Sequence, residues 1–258
     1  MKLCHCRNVG KEGGVSVSDM FDYFALSVAT SLEEVDALQH LRWSVYCDEL
    51  GYEHPKNCPG QREGDEYDEM SVHLYITHRE SGAIAGCVRV IAAESLPEGI
   101  ALPLEVAYQL SLEQPDLAGI PRQNLFEISR LAIATTFRRR RSDDALSQEY
   151  GLLSDVAQAR TNFSYLAVLL YSAVIALGES YGFAHACAMM QPRLVRLLSR
   201  SGLLFRQLAP LIEHHGQRAA YFSSLSDATT GMNGDMRQLV GRITRQLGSQ
   251  QMRSGLVL

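Results

Sequence analysis

The sequence lacks the long apolar run that a membrane-spanning helix needs. Its longest candidate, YLAVLLYSAVIALGESYGF at 165–183, is interrupted by Gly178 and Glu179, whereas a span takes about 18–20 consecutive apolar residues. The N-terminal stretch MKLCHCRNVGKEGG also has no apolar segment of the signal-peptide type. We therefore expect a cytoplasmic protein without a membrane span.

An excess of basic residues is also missing. The chain has 24 Lys and Arg against 29 Asp and Glu, for a formal net charge of −5. General nucleic-acid binding usually needs a basic face, so no nucleic-acid partner is expected. The run of arginines at 138–141 is a local feature of an acidic protein.

The cysteines do not have metal-site spacing. There are 6 of them, without a repeated C-x-x-C pair, and CHC at 4–6 is not followed by a second ligand pair with the spacing of a zinc site. We expect free thiols and no metal site, as is usual inside cells. Cys87 and Cys187 lie in apolar strand centres, where a thiol acts as a small hydrophobic group rather than a nucleophile.

The composition is that of a globular protein with a substantial core. Of the 258 residues, 46% are hydrophobic and 21% charged, and no internal repeat interrupts the chain. The pattern divides it into a loose N-terminal segment (1–20), one folded domain (21–225), and a C-terminal amphipathic helix with a tail (226–258).

Apolar periodicity predicts an alternation of strands and helices. Strands are predicted at 24–29, 71–78, 82–93, 124–134 and 183–190, with two more in 204–225 about a turn at Gly216. Helices are predicted after the capping box Ser31/Glu34, near 164–181, from Pro192 to Gly202, and at 235–247. Residues 94–123 are predicted to be a long connection. This order indicates an α/β (α+β) fold, a mixed sheet with helices on both faces.

Charged side chains recur inside or beside these apolar segments. They are Arg42, Asp65, Asp68, Arg89, Glu127 and Arg130. Taken singly, each is explained by a solvated face or a structural ion pair. As a set they indicate a functional site, because partly buried charges with shifted pKa values cluster there. Glu127 and Arg130 are three residues apart, on opposite faces of a regular strand, unless a β-bulge reorients them and opens the sheet.

Four segments carry a resemblance to a known family. LRWSVYCDELGYE, GDEYDEMSVHLYI, GAIAGCVRV and FEISRLAI resemble successive blocks of the acyl-homoserine-lactone synthases, which are GNAT-like acyltransferases. A closer resemblance is to the exosortase/PEP-CTERM-associated acyltransferases, related to the long-chain N-acyl amino acid synthases. It adds FRRRRSDD and MMQPRLVRLLSRSGLLFRQLAPLIEHHGQR and extends to about residue 225. The resemblance implies a GNAT-like three-layer fold whose mostly antiparallel sheet has a splayed strand pair.

The resemblance also assigns roles to the charged residues. It implies that Glu127 and Arg130 support catalysis, and that the amine substrate is bound by Arg42, Asp65, Asp68 and Arg89. We expect Glu127 to orient the amine and relay its proton, with Arg130 lowering its pKa. Backbone amides around 131–134 are expected to bind the thioester oxygen as it becomes an oxyanion.

Two further segments are candidate substrate contacts. The glycines of the GNAT phosphate loop are missing, and RRRRSDDA occupies that place. Arg138, Arg139, Arg140 and Arg141 are therefore predicted to meet donor phosphate, and an arginine-rich turn suits docking of acyl carrier protein better than a tight cradle for coenzyme A. The alternative is a solvated charge run. His215, beside His214, is predicted to lie on the acceptor side; the alternative is a hairpin with exposed histidines.

The expected function is an N-acyltransferase that moves a fatty acyl group from acyl carrier protein or acyl-CoA to an amine, with an amino acid as the expected acceptor. No tightly bound cofactor is expected. Two departures, Tyr52 in place of the usual tryptophan and the HHGQR segment, argue against homoserine lactone as the product. The alternatives are a lactone-type autoinducer synthase using S-adenosylmethionine and a non-catalytic protein that binds acyl chains or acyl carrier protein. The sequence gives neither the amine, nor the chain length, nor the oligomeric state.

Overall fold

Eight strands form one sheet in the computed structural model, which describes residues 21–108, 120–138 and 163–254. The strands are β1 Phe24–Val28, β2 Val72–His78, β3 Ile84–Ala92, β4 Leu125–Ile133, β5 His185–Met190, β6 Arg206–Gln207, β7 Ile212–Glu213 and β8 Gln217–Ser224. Their order is β1-β2-β3-β4-β5-β8-β6, with β7 paired to β8. All pairs are antiparallel except β4 with β5, which is parallel. The predicted mixed sheet is therefore confirmed.

Two of the described helices begin at the start signals read from the sequence, Ser31 and Pro192. The helices are α1 Leu32–Trp43, α2 Pro103–Tyr108, α3 Phe163–Ser180, α4 Pro192–Arg200, α5 Leu225–Thr230 and α6 Gly234–Ser254, and a π-helical segment, Ser44–Glu49, continues α1. Both bonds of the capping box before α1 are present: Glu34 N donates to Ser31 Oγ (3.2 Å) and Ser31 N to Glu34 Oε2 (3.1 Å). Among the described helices, none is long and apolar enough to cross a membrane.

Side-chain alternation along the central strands sorts residues between two faces of the sheet. Val88 and Val90 of β3 pack into the core formed with α3 and α6. Cys87, on the other face of β3, packs with Leu38 and Leu41 of α1. Because successive side chains of a strand point to opposite faces, Arg89 also lies on the α1 face. Helices cover both faces, as predicted.

The cysteines inside the described part of the chain are free thiols. Cys47, Cys58, Cys87 and Cys187 are all buried. Burial raises the pKa of Cys87 to about 12, so its thiol stays protonated at neutral pH. The expectation of free thiols is confirmed for these four residues; Cys4 and Cys6 lie outside the described residues.

A bulge in β4 changes the direction of its side chains. Cys87 of β3 lies opposite Ala132, but Arg89 lies opposite Ser129, so two steps on β3 match three on β4. Arg130, inside the bulge, has a φ of 53°, a left-handed conformation that is uncommon for a non-glycine residue. The bulge that the sequence predicted is present, at Arg130 itself rather than between Glu127 and Arg130.

Beyond the middle of β4 the sheet opens. β4 and β5 pair only from Leu125↔His185 to Ile128↔Ala188, although both strands continue further. The bulge bends β4 away from β5 at this point. The splayed strand pair predicted from the sequence is thus present, and a cavity lies against it.

Candidate active site

The cavity next to the opening has a volume of about 320 Å³. β4 supplies one wall, the segment between α1 and β2 a second, and the β7–β8 turn a third. It is lined by Tyr46, Tyr52, Glu53, Glu63, Asp65, Glu66, Tyr67, Pro103, Leu104, Val106, Ala107, Glu127, Ile128, Ser129, Arg130, Met189, His214, His215 and Arg218. The elements that line it are far apart in sequence, so only the folded chain creates it.

Three charged residues support the cavity wall from behind. Asp68 accepts hydrogen bonds from Arg42 Nη2 (2.6 Å) and Nη1 (3.0 Å) and from Arg89 Nη1 (2.7 Å). Burial alone would raise the pKa of Asp68, but the hydrogen bonds and charges of the two arginines hold it well below its usual range. Arg42, Asp68 and Arg89 are buried, and they are not among the residues that line the cavity. This placement favours a positioning role over the direct amine contact predicted from the sequence.

A second layer of ion pairs faces the cavity. Arg130 Nε donates to Glu63 Oε1 (2.8 Å) and Arg130 Nη2 to Asp65 Oδ2 (2.9 Å). Asp65 is also bound by Arg89, which joins the two layers. The left-handed backbone at Arg130 turns its side chain to the face that carries Glu127. Sequence reasoning missed Glu63, which lies in a loop without periodicity.

Glu127 has a different environment. Its side chain is 2% exposed, and Oε2 accepts a hydrogen bond from the N–H of Leu104 in α2 (2.9 Å). Burial raises the pKa of Glu127 to about 7, against the opposing effects of the Leu104 N–H and of Arg89 and Arg130. Arg130 acts in the direction predicted from the sequence, but burial outweighs it. A carboxylate that titrates near neutral pH suits general base catalysis.

The rim opposite β4 is formed by the HHGQR segment. His215 Nε2 lies 3.4 Å from Glu53 Oε1, and its ring lies 5.4 Å from that of Tyr52. Both histidines line the cavity, so the hairpin is not simply solvent-exposed. Burial, then His215 and the charges of Arg218 and Arg130, lower the pKa of His214. His214 is therefore neutral at physiological pH.

Arg138 is held by the fold. It forms an ion pair with Glu49 and donates to Thr135 Oγ1 (3.1 Å). A donor phosphate would have to compete with Glu49 for Arg138, and donor binding by the four arginines stays a prediction. Arg139, Arg140 and Arg141 lie outside the described residues.

One backbone amide assigned to the oxyanion site is already in use. Ala134 N donates to Ala85 O of β3 (2.9 Å), so it is not free to bind a thioester oxygen. The hydroxyl of Tyr46, which lines the cavity, donates to Leu131 O (2.7 Å). Binding of the thioester oxygen by the backbone amides of residues 131–133 stays a prediction.

Comparison with known proteins agrees with this architecture. Residues 41–148 match the family described as the acetyltransferase (GNAT) domain. No curated protein sequence matches the chain significantly. The acyl-homoserine-lactone synthase LasI is 15% identical, with a TM-score of 0.59 over 82% of this chain and 95% of LasI.

Two other solved structures share the fold. FeeM, an N-acyl amino acid synthase from uncultured soil microbes, is 15% identical, with a TM-score of 0.53 over 81% of this chain and 94% of FeeM. BjaI, a CoA-dependent acyl-homoserine lactone synthase solved with SAM and isopentyl-CoA, is 19% identical, with a TM-score of 0.54 over 86% of this chain and 89% of BjaI. The chain therefore has the GNAT fold, in the form shared by lactone synthases and an N-acyl amino acid synthase.

Proposed function

We propose that the protein is an N-acyltransferase that moves a fatty acyl group from a thioester, acyl carrier protein or acyl-CoA, to the amine of an amino acid. The observation that carries the proposal is Glu127, a buried carboxylate with a near-neutral pKa, placed in a cavity beside a splayed strand pair. Because both donor types belong to the cytoplasm, the proposal includes that location.

The chemistry follows from the position of Glu127. A free α-amino group has a pKa of about 7.7–8.0, so a base that titrates near 7 removes its proton directly or through one water. The neutral nitrogen then attacks the thioester carbonyl carbon. A C–N bond forms, the C–S bond breaks, and the leaving thiolate takes a proton from the nitrogen. The proton on Glu127 returns to water.

The choice of acceptor rests on the similarities. FeeM is by its description an N-acyl amino acid synthase, and the HHGQR segment resembles the exosortase-associated acyltransferases. Both favour an amino acid over S-adenosylmethionine. The lactone-synthase alternative is supported by the match to BjaI, which was solved with SAM.

The test supplies purified protein with acyl carrier protein or CoA thioesters and the twenty standard amino acids, and in a parallel reaction S-adenosylmethionine. Thiol release and mass spectrometry of the products identify donor and acceptor. Lipid extracts of cells that express the protein give the same head group independently.

The matched variants are Glu127→Gln and Glu80→Gln. The first keeps the shape but removes the base, so transfer should fall by roughly 10²-fold or more, whereas Glu80 lies on the exposed β2–β3 turn and its variant should be normal. Normal transfer by folded Glu127→Gln would make Glu127 structural. Acyl-chain binding without thiol release would support the non-catalytic alternative.

A further inference from the structure

Among the described residues that line the cavity, Arg218 is an arginine without an ion-pair partner. Its side chain lines the cavity near the β7–β8 turn, and its Nε is buried without a hydrogen-bond partner. Within the described residues it forms no ion pair; its guanidinium carbon lies 5.4 Å from the centre of the Tyr52 ring. Arg130, the other arginine that lines the cavity, is held by Glu63 and Asp65.

A partly buried guanidinium without an anion is costly to keep. Glu53, an acidic residue that also lines the cavity, lies against His215. The planar guanidinium matches a carboxylate with two parallel hydrogen bonds, and an aromatic ring against one side restricts its orientation. Arg218 therefore has the features of a binding site for a carboxylate.

The backbone at this point is fixed. The hydroxyl of Tyr108 in α2 accepts from Ala220 N (3.0 Å) and donates to Pro210 O (2.9 Å). These bonds tie β8 and the segment before β7 to α2, the helix that also supplies Leu104 N to Glu127. One short helix thus contacts both the side chain of Glu127 and the backbone next to Arg218.

The sheet register gives the distance between the Cα atoms of Glu127 and Arg218. Cys187 of β5 pairs with Glu127 on one side and Phe222 on the other, and Arg218 lies four residues before Phe222 on the same face. With strands about 4.8 Å apart and about 3.3 Å per residue, the two Cα atoms are roughly 16 Å apart. Both side chains extend into one cavity of about 320 Å³, with space for a small zwitterion between them.

We propose that Arg218, oriented by Tyr52, binds the carboxylate of the acceptor while its amine lies at Glu127. This inference rests on the proposed function and narrows it. The acceptor class is an amine that also carries a carboxylate, so amino acids are preferred over simple amines and amino-acid amides.

The first experiment compares the twenty amino acids with their α-carboxamides as acceptors for one acyl thioester. Wild type should prefer the acids, and Arg218→Gln should raise KM for the acids about 10–100-fold, the loss of one charge-assisted interaction, without changing KM for the amides. An unchanged preference for acids in Arg218→Gln would overturn the proposal.

The second experiment does not need turnover. The melting temperature is measured with 10 mM of the mixed acids or mixed amides, for wild type, Arg218→Gln, Arg218→Lys and the control Arg206→Gln. Arg206 also lies over an aromatic ring, Phe222 at 4.7 Å, but does not line the cavity.

The acids should stabilise wild type and Arg206→Gln more than the amides do, and Arg218→Gln should lose this difference. Arg218→Lys keeps the charge, so it should keep part of the difference and serves if the glutamine variant does not fold. Equal shifts with acids and amides in wild type would overturn the carboxylate site. Failure of the proposed transfer reaction alone would leave these binding differences intact, so the two outcomes are separable.

Discussion

Among the buried carboxylates of the described residues, Glu63, Asp68 and Glu127, only Glu127 has no hydrogen bond from an arginine. The pKa of Glu127 is therefore determined mainly by burial. The ionised form is the one that accepts a proton from the substrate. The pKa of this residue consequently links activity and stability to the same pH range.

Activity should follow the ionisation of Glu127. Because only the carboxylate is a base, kcat should rise with pH and level off above about 7, the pKa of Glu127. A pH profile of kcat with saturating acceptor measures this. A profile that is flat from pH 5 to 8 would exclude Glu127 as the base.

Stability should change with pH in the opposite direction. The pKa of Glu127 is raised from 4.5 to about 7 in the folded protein, so between these values the folded chain holds a proton that the unfolded chain has released. Stability contributed by this group therefore falls as pH rises, by about 3 kcal/mol in all. Glu127→Gln should be more stable than wild type at pH 8 by about this amount, and show no such advantage at pH 4.5, in urea unfolding. A variant less stable than wild type at pH 8 would contradict this reasoning.

Arg130 should not tolerate replacement by lysine. Its Nε and Nη2 bind two different carboxylates, and a single ammonium lacks the planar arrangement that reaches both. Arg130→Lys should lose about 1.5–3 kcal/mol of stability, one hydrogen bond between charged groups, and at least about tenfold in acyl transfer. Arg62→Lys is the control, because its pair with Asp36 is largely exposed and should change stability by less than about 1 kcal/mol. Equal effects of the two replacements would argue against this role.

At the scale of elements, the bulge in β4 depends on a close approach of β3. A Cβ placed on Gly86 would lie 2.6 Å from Ile133 Cδ1 and 2.9 Å from Ala132 O. The backbone oxygen cannot move aside without shifting β4. Glycine at this position therefore allows the two strands to pair next to the bulge.

Gly86→Ala should destabilise the protein by about 1–3 kcal/mol through overpacking, with a loss of activity because Arg130 and Glu127 are on the displaced strand. Urea unfolding at fixed pH measures the first effect. Gly248→Ala in α6, which has nothing within 4 Å of the added Cβ, should be neutral or slightly stabilising. A neutral result for Gly86→Ala would mean that the strands adjust easily there.

The elements found from sequence are those with strong local signals. The strand at 125–133 is rich in β-branched and apolar residues, and Ser31, Glu34 and Pro192 mark helix starts. Two elements were missed because they are short. Helix α2 has 6 residues and lies in the proline-containing stretch 94–123, which was predicted to be a connection. Strand β6 has 2 residues. The π-helical turn after α1 carries no sequence signal that distinguishes it from an α-helix.

The site was predicted less completely than the fold. The charges embedded in apolar strands, Glu127 and Arg89, are visible in the sequence because burial conflicts with charge. Glu63 and Glu53 occupy polar loops where charged residues are ordinary, and only the tertiary fold brings them to the cavity. Arg218 lies two residues after the turn glycine, Gly216, and its lack of a partner is visible only in three dimensions.

At the scale of the whole molecule, an acidic chain with net charge −5 would repel acidic acyl carrier protein except at a local basic segment. Replacing Arg139–Arg141 with serine should raise KM for acyl carrier protein more than it lowers kcat. The effect should shrink at high salt, because salt screens electrostatic attraction over a distance of about 8 Å at physiological ionic strength.

Arg138→Gln is the comparison for this experiment. Since Glu49 holds Arg138, its loss should change KM less than the loss of Arg139–Arg141. An unchanged KM at low salt in the serine variant would support the alternative interpretation, in which the arginines form a solvated charge run.

The splayed junction also affects how the fold opens. In the sheet, β1–β4 and the strands from β5 onward are joined by four backbone pairs between β4 and β5. Helix α3 packs on β2, β3 and β4, and α6 packs on β1. The amides on the two sides of this seam should therefore behave as separate units of hydrogen exchange, with the β5–β8 side opening at lower free energy than the centre of β3. A ligand held by Glu127 on one side and Arg218 on the other spans the seam, so its binding should slow exchange in β4 and β8 together.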